Sequence, residues 1–391
     1  MPELTATRLG SHAIVIGGSM AGLLAARTLA DHFDRVTILE RDRLPDNPDP
    51  RKGTPQARHI HVLLTAGRRA LERILPNVTA ELVAAGAEDY DAVRDMEWIT
   101  HAGRGIRFQS DIPLLGATRD LIEWGVRRRV LRDSRVRVRQ EIAVSGLRLD
   151  PTGRRVVGLD LEDRSGATRS HETIDADLVV DAAGRASRTP QWLETLGFPG
   201  PRETVVNGFL GYSSRMVQPP NGWKSDWKIF YIQCAPPTRR RGGVIASVEG
   251  GRWIVTLAGG GKDYPPTDEE GFRAFAQSLV DPRFAEAYEA ATPLTPIIGT
   301  KTTENRVRHY EALARRPEGL VVIGDAACGF NPVYGQGMSA AALGAETLGQ
   351  CLRACRNGRV EQLAEQFQPL LAKANRRPWL LATGEDYRYL E

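Results

Sequence analysis

Residues 13–40 read AIVIGGSMAGLLAARTLADHFDRVTILE, and this stretch decides the fold. The apolar run Ala13–Ile16 has the length and composition of a buried strand, and Gly17–Gly22 is a glycine-punctuated turn. Leu23 to Ala30 carries a helical apolar face, and Arg35 to Leu39 reads as a second strand ending on Glu40. Strand, tight turn, helix and strand in this order form a βαβ unit suited to a nucleotide. Gly17 permits the turn, the small Ser19 lets the backbone approach a pyrophosphate, and Gly22 lets helix and strand pack closely. The amides at the helix start, around Met20 and Ala21, sit at its positive end and face the phosphates. Glu40 accepts from ribose hydroxyls, which favours an unphosphorylated adenosine ribose, and the adjacent Arg41 is assigned to the same site. Ser19 replaces the middle glycine of G-x-G-x-x-G, so the turn by itself leaves a purely structural βα loop as the alternative.

A second strand–turn–helix lies far downstream. Gly319–Asp325 (GLVVIGD) is a buried strand with a carboxylate at its tip. It runs through Ala326–Met338 into a small-residue helix expected over Ser339–Cys355. Asp325 can accept from sugar-type hydroxyls. Past Gly335, the amides of Gly337 and Met338 can donate to an oxygen of partial negative charge. One long cofactor, with a sugar-phosphate at one end and an electron-accepting ring at the other, satisfies both sites. That describes FAD better than NAD.

Between these units the chain offers weaker signals. Pro45, Pro48 and Pro50 imply a long exposed loop after Glu40. Arg51, Lys52, Arg58, His59 and His61 then cluster before a helix expected over His61–Leu75; the cluster either covers the pyrophosphate or is a solvated loop. Two histidines without a third ligand are poor evidence for a metal, and no metal is expected. Trp98–Pro113 reads as a hairpin turning at Gly103 and Gly105. Thr118 can cap a helix over Arg119–Leu131, where Arg119 either reaches the cofactor or is a surface arginine. From Asn207 to Leu257 the alternation of apolar and polar residues predicts an antiparallel sheet with one face covered. Its aromatic residues include Trp227 and Tyr231, candidates for the wall of an apolar substrate pocket; filling the sheet's core is the alternative for each. Thr267-x-x-Glu270 reads as a capping box for a helix through Leu279.

The 391 residues suggest two intertwined domains. One takes residues 1–90, 114–190 and 301–391 for FAD; the other takes 91–113 and 191–300 for substrate. Apolar content of 41% and charge of 26% are ordinary for a soluble globular chain. The net charge of +4 rests on scattered arginines with only six lysines, which argues against a nucleic-acid partner. No window approaches ~20 uninterrupted apolar residues, so no membrane span is expected. Cys234, Cys328, Cys351 and Cys355 form no disulfide framework and no C-x-x-C pair, which fits a reducing cytoplasm.

The motifs VIGGSMAGLLAARTL with LERD, DLVVDAAGRASR, and VVIGDAACGFNPVYGQGMSAA resemble the FAD-dependent aromatic hydroxylase superfamily, the fold of p-hydroxybenzoate hydroxylase, over nearly the whole chain. The resemblance implies an α/β fold in which a Rossmann-like FAD-binding domain interleaves with an antiparallel β-sheet substrate domain. It places Glu40 on the adenosine ribose, Arg119 along the cofactor and Asp325 on the ribityl chain. Gly337 and Met338 then face the pyrimidine edge, with Pro332 near the reactive flavin carbon. RKGTPQARHIHVLL and NPVYGQGM look closest to actinobacterial monooxygenases of natural-product pathways, including polyether-type epoxidases.

The implied reaction transfers one oxygen atom of dioxygen, through a flavin C4a-hydroperoxide, to an apolar substrate by epoxidation or hydroxylation. DAAGRASR departs from the Asp-Gly form tied to nicotinamide docking, so NAD(P)H serves either directly or through a separate flavin reductase. The spacing from Trp223 to Ile229 departs from the W-x-W-x-I of flavin halogenases. An FAD-dependent reductase of geranylgeranyl-reductase type and a non-catalytic nucleotide-binding subunit are the rival readings.

Overall fold

The computed structural model describes residues 8–166, 169–355 and 360–389. Strands Leu320–Val322, Leu178–Asp181, Gly10–Ile16, Phe33–Leu39 and Val136–Arg139 lie side by side in that order, each pair parallel. Ala13 to Ile16 are buried in the middle of this sheet, which explains their uninterrupted apolar run. The helix Met20–Ala30 starts straight out of the glycine turn, three residues before the apolar face suggests. A Cβ at Gly22 would run into the Gly17 carbonyl oxygen, so the close crossing requires a glycine there. Because every strand runs the same way, their carboxyl ends share one edge, the usual ligand edge of such sheets.

Strands Gly211–Gln218, Arg252–Gly259, Arg241–Val248 and Ile229–Ile232 form an antiparallel sheet. Met96–Thr100 joins it parallel to Ile229–Ile232. One face buries Phe230, Ile245 and Val255 against Phe272 and Phe284 of the helices Glu269–Gln277 and Pro282–Ala290. The opposite face, carrying Ile229, Tyr231 and Val244, packs against Ile60, Tyr90 and Leu114. Both faces are therefore covered, rather than the single one expected. A separate antiparallel meander holds Ile142–Leu149, Val156–Asp163 and Ser170–Asp175.

Three local expectations change. The hairpin from Trp98 stops at Gly103–Arg104. Pro113–Gly116 pairs instead with Val62–Leu63 and Glu88–Asp91, because Leu114 and Leu115 are drawn into buried clusters. That pairing also holds residues 62–63 extended, so the next helix begins at Thr65 rather than His61. Asp268, not Thr267, caps the helix Glu269–Gln277, its carboxylate accepting from the Gly271 amide at 2.7 Å. Thr118 does cap Arg119–Val130, accepting from Leu121 at 3.2 Å. Among the described residues no helix is long and apolar enough to cross a membrane.

Candidate active site

The two glycine turns meet. A Cβ on Gly324, whose φ is +64°, would sit 2.7 Å from the Ala21 methyl carbon, too close for any residue but glycine. Behind it the helices Met20–Ala30 and Gly337–Ala354 touch, with Thr28 Oγ1 3.5 Å from the Ala345 carbonyl. Asp325 follows Gly324 and faces the cleft between the turns. Its side chain keeps 43% of its surface exposed, and Arg185 Nε lies 3.9 Å away. Burial raises its pKa, against the opposing fields of Arg185 and Arg119. A Cβ on Gly337 would find only Asp325 Oδ1, 4.0 Å away. Among the described residues no side chain caps the helix starting at Gly337, which leaves its first amides free for an outside acceptor.

A buried charge cluster lies under the first turn. Glu40 accepts from the amides of Gly18 at 2.7 Å and Asp42 at 3.0 Å. Arg51 lies 3.5 Å from Glu40, 2.8 Å from Asp42 and 2.9 Å from Glu123. Three carboxylates hold it inside the fold, which removes the solvated-loop alternative for Arg51. Arg119 is 5% exposed, which removes the surface-arginine alternative. Its Nη2 lies 2.8 Å from both Glu123 and Ser19 Oγ, and Ser19 in turn donates to Glu123 at 2.7 Å. Burial pushes the Glu123 carboxyl up, but Arg119 and Arg51 outweigh it and hold the group below its ordinary range. Arg119 Nη1 is buried and has no acceptor among the described residues. Arg41 is exposed to solvent.

Glu123 escaped the sequence reading. The available signal was the Arg119-x-x-x-Glu123 spacing, one turn apart on a capped helix.

The histidines join the layers. His59 Nδ1 lies 2.9 Å from Ser214 Oγ in the antiparallel sheet, and burial lowers its pKa to about 4. His61 Nδ1 donates to the His59 carbonyl at 3.0 Å, which fixes its tautomer. Burial first, then Arg119, lowers the His61 pKa to about 3. Both rings are neutral at pH 7.

The Asn331–Met338 turn is clamped from behind. Asn331 caps Pro332–Tyr334 through the Val333 amide at 3.2 Å, and Gly335 follows at a φ of +65°. Pro332 itself is exposed. Asp386, fully buried near the end of the helix Leu363–Tyr387, accepts from Asn305 at 2.7 Å, Asn331 at 3.0 Å and Tyr334 at 2.6 Å. Nothing local in the sequence marked Asp386.

Asp181 of DAAGRASR is fully buried and accepts from Ser187, from Thr189 at 2.6 Å and from the Ala183 amide at 2.9 Å. Trp227 packs on Phe230 and Trp253 in the helix-covered cluster, which is the core-filling alternative and corrects its assignment to a pocket wall. Tyr231 lies on the other face with Met216 and Val244, stacked on Trp98 at 6.3 Å.

A buried guanidinium N–H without an acceptor, uncapped helix-start amides, a carboxylate in the cleft and a crevice only glycine allows fit a dinucleotide flavin. Fold and crevice together define the class of p-hydroxybenzoate hydroxylase-like flavoproteins. The chain belongs to the family described as "FAD binding domain", which matches residues 11–368. Protein Rv3254 of Mycobacterium tuberculosis is 34% identical over 97% of this chain and 80% of that protein. A kynurenine 3-monooxygenase of Salinispora arenicola is 27% identical over 87% of this chain and 72% of its own length. Among solved structures, PqsL of P. aeruginosa in complex with 2-aminobenzoylacetate superposes with a TM-score of 0.70 at 17% identity, covering 97% and 98% of the two chains. The myxobacterial chondrochloren halogenase CndH gives 0.72 at 19% identity, covering 96% and 81%.

Proposed function

We propose that this flavin-dependent monooxygenase transfers one oxygen atom from dioxygen to an apolar substrate, by epoxidation of an alkene or by hydroxylation. The observation carrying the reading is the meeting of Ala21 and Gly324, which sets both cofactor turns on one crevice. Bound FAD, once reduced, supplies the oxygen-activating chemistry. The chain's own groups bind and orient it. Glu40 holds the adenosine ribose, Arg119 Nη1 donates to the pyrophosphate, and Asp325 accepts from the ribityl hydroxyls. The amides of Gly337 and Met338 donate to the pyrimidine edge, where negative charge collects on reduction.

Substrate then lies between that turn and the half-buried part of the sheet face at Tyr231, Met216 and Val244, whose apolar character excludes water. The spacing of Trp223 and Trp227 speaks against halide chemistry. Because Asp181 is occupied by Ser187 and Thr189, electrons from NAD(P)H are better supplied through a separate flavin reductase.

The test is turnover of the yellow protein under isotopically labelled dioxygen, with polyene and aromatic substrate libraries. One labelled atom in product supports the reading. Product without label overturns it, and anaerobic saturation of a double bond points to a reductase instead.

A further inference from the structure

We propose that the cavity between the helix Leu363–Tyr387 and the strand Asn305–Arg308 is a second small-molecule site, built for an apolar monocarboxylate. The cavity measures about 340 Å³, at the small end of ligand sites, which run ~300–1,000 Å³. Val307, Leu371 and Trp379 give it apolar walls. Ala327 and Cys328, just past Asp325, line its inner end, but none of Asp325, Pro332, Gly335, Gly337 or Met338 does.

Its polar groups are unspent. Asn375 lines the cavity, is 8% exposed, and its amide has no hydrogen-bond partner among the described residues. That amide is open to the cavity, so a ligand there can take its hydrogen bond in place of water. Gln368 accepts from the Val322 amide at 3.0 Å, and its own NH₂ has no acceptor among the described residues. Lys373 and Arg376 stand exposed at the rim, and neither meets a carboxylate of any described residue. On the facing wall Glu311 is held by His309 at 2.8 Å, and Arg308 by Glu203 at 2.7 Å. Two uncommitted cations and two amide donors over apolar walls select an anionic head on an apolar body.

The experiment titrates the FAD-loaded full chain with 4-phenylbutyrate and with the neutral 4-phenylbutan-1-ol, by calorimetry and ligand-observed NMR. The acid should bind about tenfold tighter than the alcohol. Asn375→Leu should weaken the acid about tenfold, and the surface pair Lys373→Glu with Arg376→Glu should do the same while sparing the alcohol. Flavin content should not move in either variant. Because the surface pair leaves the core intact, it reads the site even where Asn375→Leu fails to fold. No binding at millimolar concentration, equal binding of acid and alcohol, or acid binding that survives the surface pair overturns the proposal.

Discussion

The Tyr334 hydroxyl donates to Asp386 Oδ1 at 2.6 Å, tying the turn that carries Pro332 to the helix Leu363–Tyr387. Asp386→Ala would strand the amides of Asn305 and Asn331 together with that hydroxyl. The expected loss is about 3 kcal/mol, with flavin released at lower denaturant than in the parent chain. Tyr334→Phe removes a single bond to the carboxylate and should cost about 1.5 kcal/mol. Urea unfolding of both variants checks this; equal losses would mean that Asp386 does not act as the hub.

Arg119 has a donor to spare and a fixed orientation. Arg119→Met should weaken FAD about tenfold or more, measured by equilibrium dialysis of the apoprotein. Unchanged affinity would place the pyrophosphate elsewhere.

Two glycines separate folding from binding. Gly22→Ala drives a methyl into the Gly17 carbonyl and should destabilise the chain by about 3 kcal/mol. Gly337→Ala meets nothing closer than Asp325 at 4.0 Å, so the apoprotein should melt normally while FAD binds more weakly. A Gly337→Ala protein with parental flavin affinity would remove that amide edge from the site.

Acid should loosen the fold through its histidines. The His59 ring titrates near its ordinary 6.5 when unfolded and at about 4 when folded, because burial penalises the charged form. The unfolded chain therefore holds the extra proton between those values. Stability is full above pH 6.5 and falls as pH drops toward 4, by ~1.4 kcal/mol per pH unit for each such histidine. His61, with its pKa lowered to about 3, adds a parallel slope. Denaturant melts at pH 7.5, 6 and 5 should show the decline, and His59→Gln should remove its share while leaving that of His61; an unchanged slope would assign the acid sensitivity to other groups.

The parallel sheet and both turns were legible because each is written in a contiguous run: buried strand, glycines, small-residue helix. The charge cluster was only half legible. Glu40 and Arg119 carry positional signals, but Arg51 and Glu123 are explained by each other across the fold rather than by any local pattern. Strand alternation sorts Tyr231 from Phe230, since both lie in Ile229–Ile232. Trp227 precedes that strand, so alternation does not govern where its ring goes. The hairpin beyond Gly103 failed for a related reason: the burial of Leu114 and Leu115 is decided by Tyr90 and the first layer, not by the intervening turn.

The clamp at Asp386 also sets an order of assembly during synthesis. The Gly17 turn leaves the ribosome before the Asn331–Met338 turn, and the carboxylate that fastens the latter emerges later still. A nascent chain can thus shape the adenosine end of its crevice early, but the ring end acquires a fixed seat only once translation has passed residue 386.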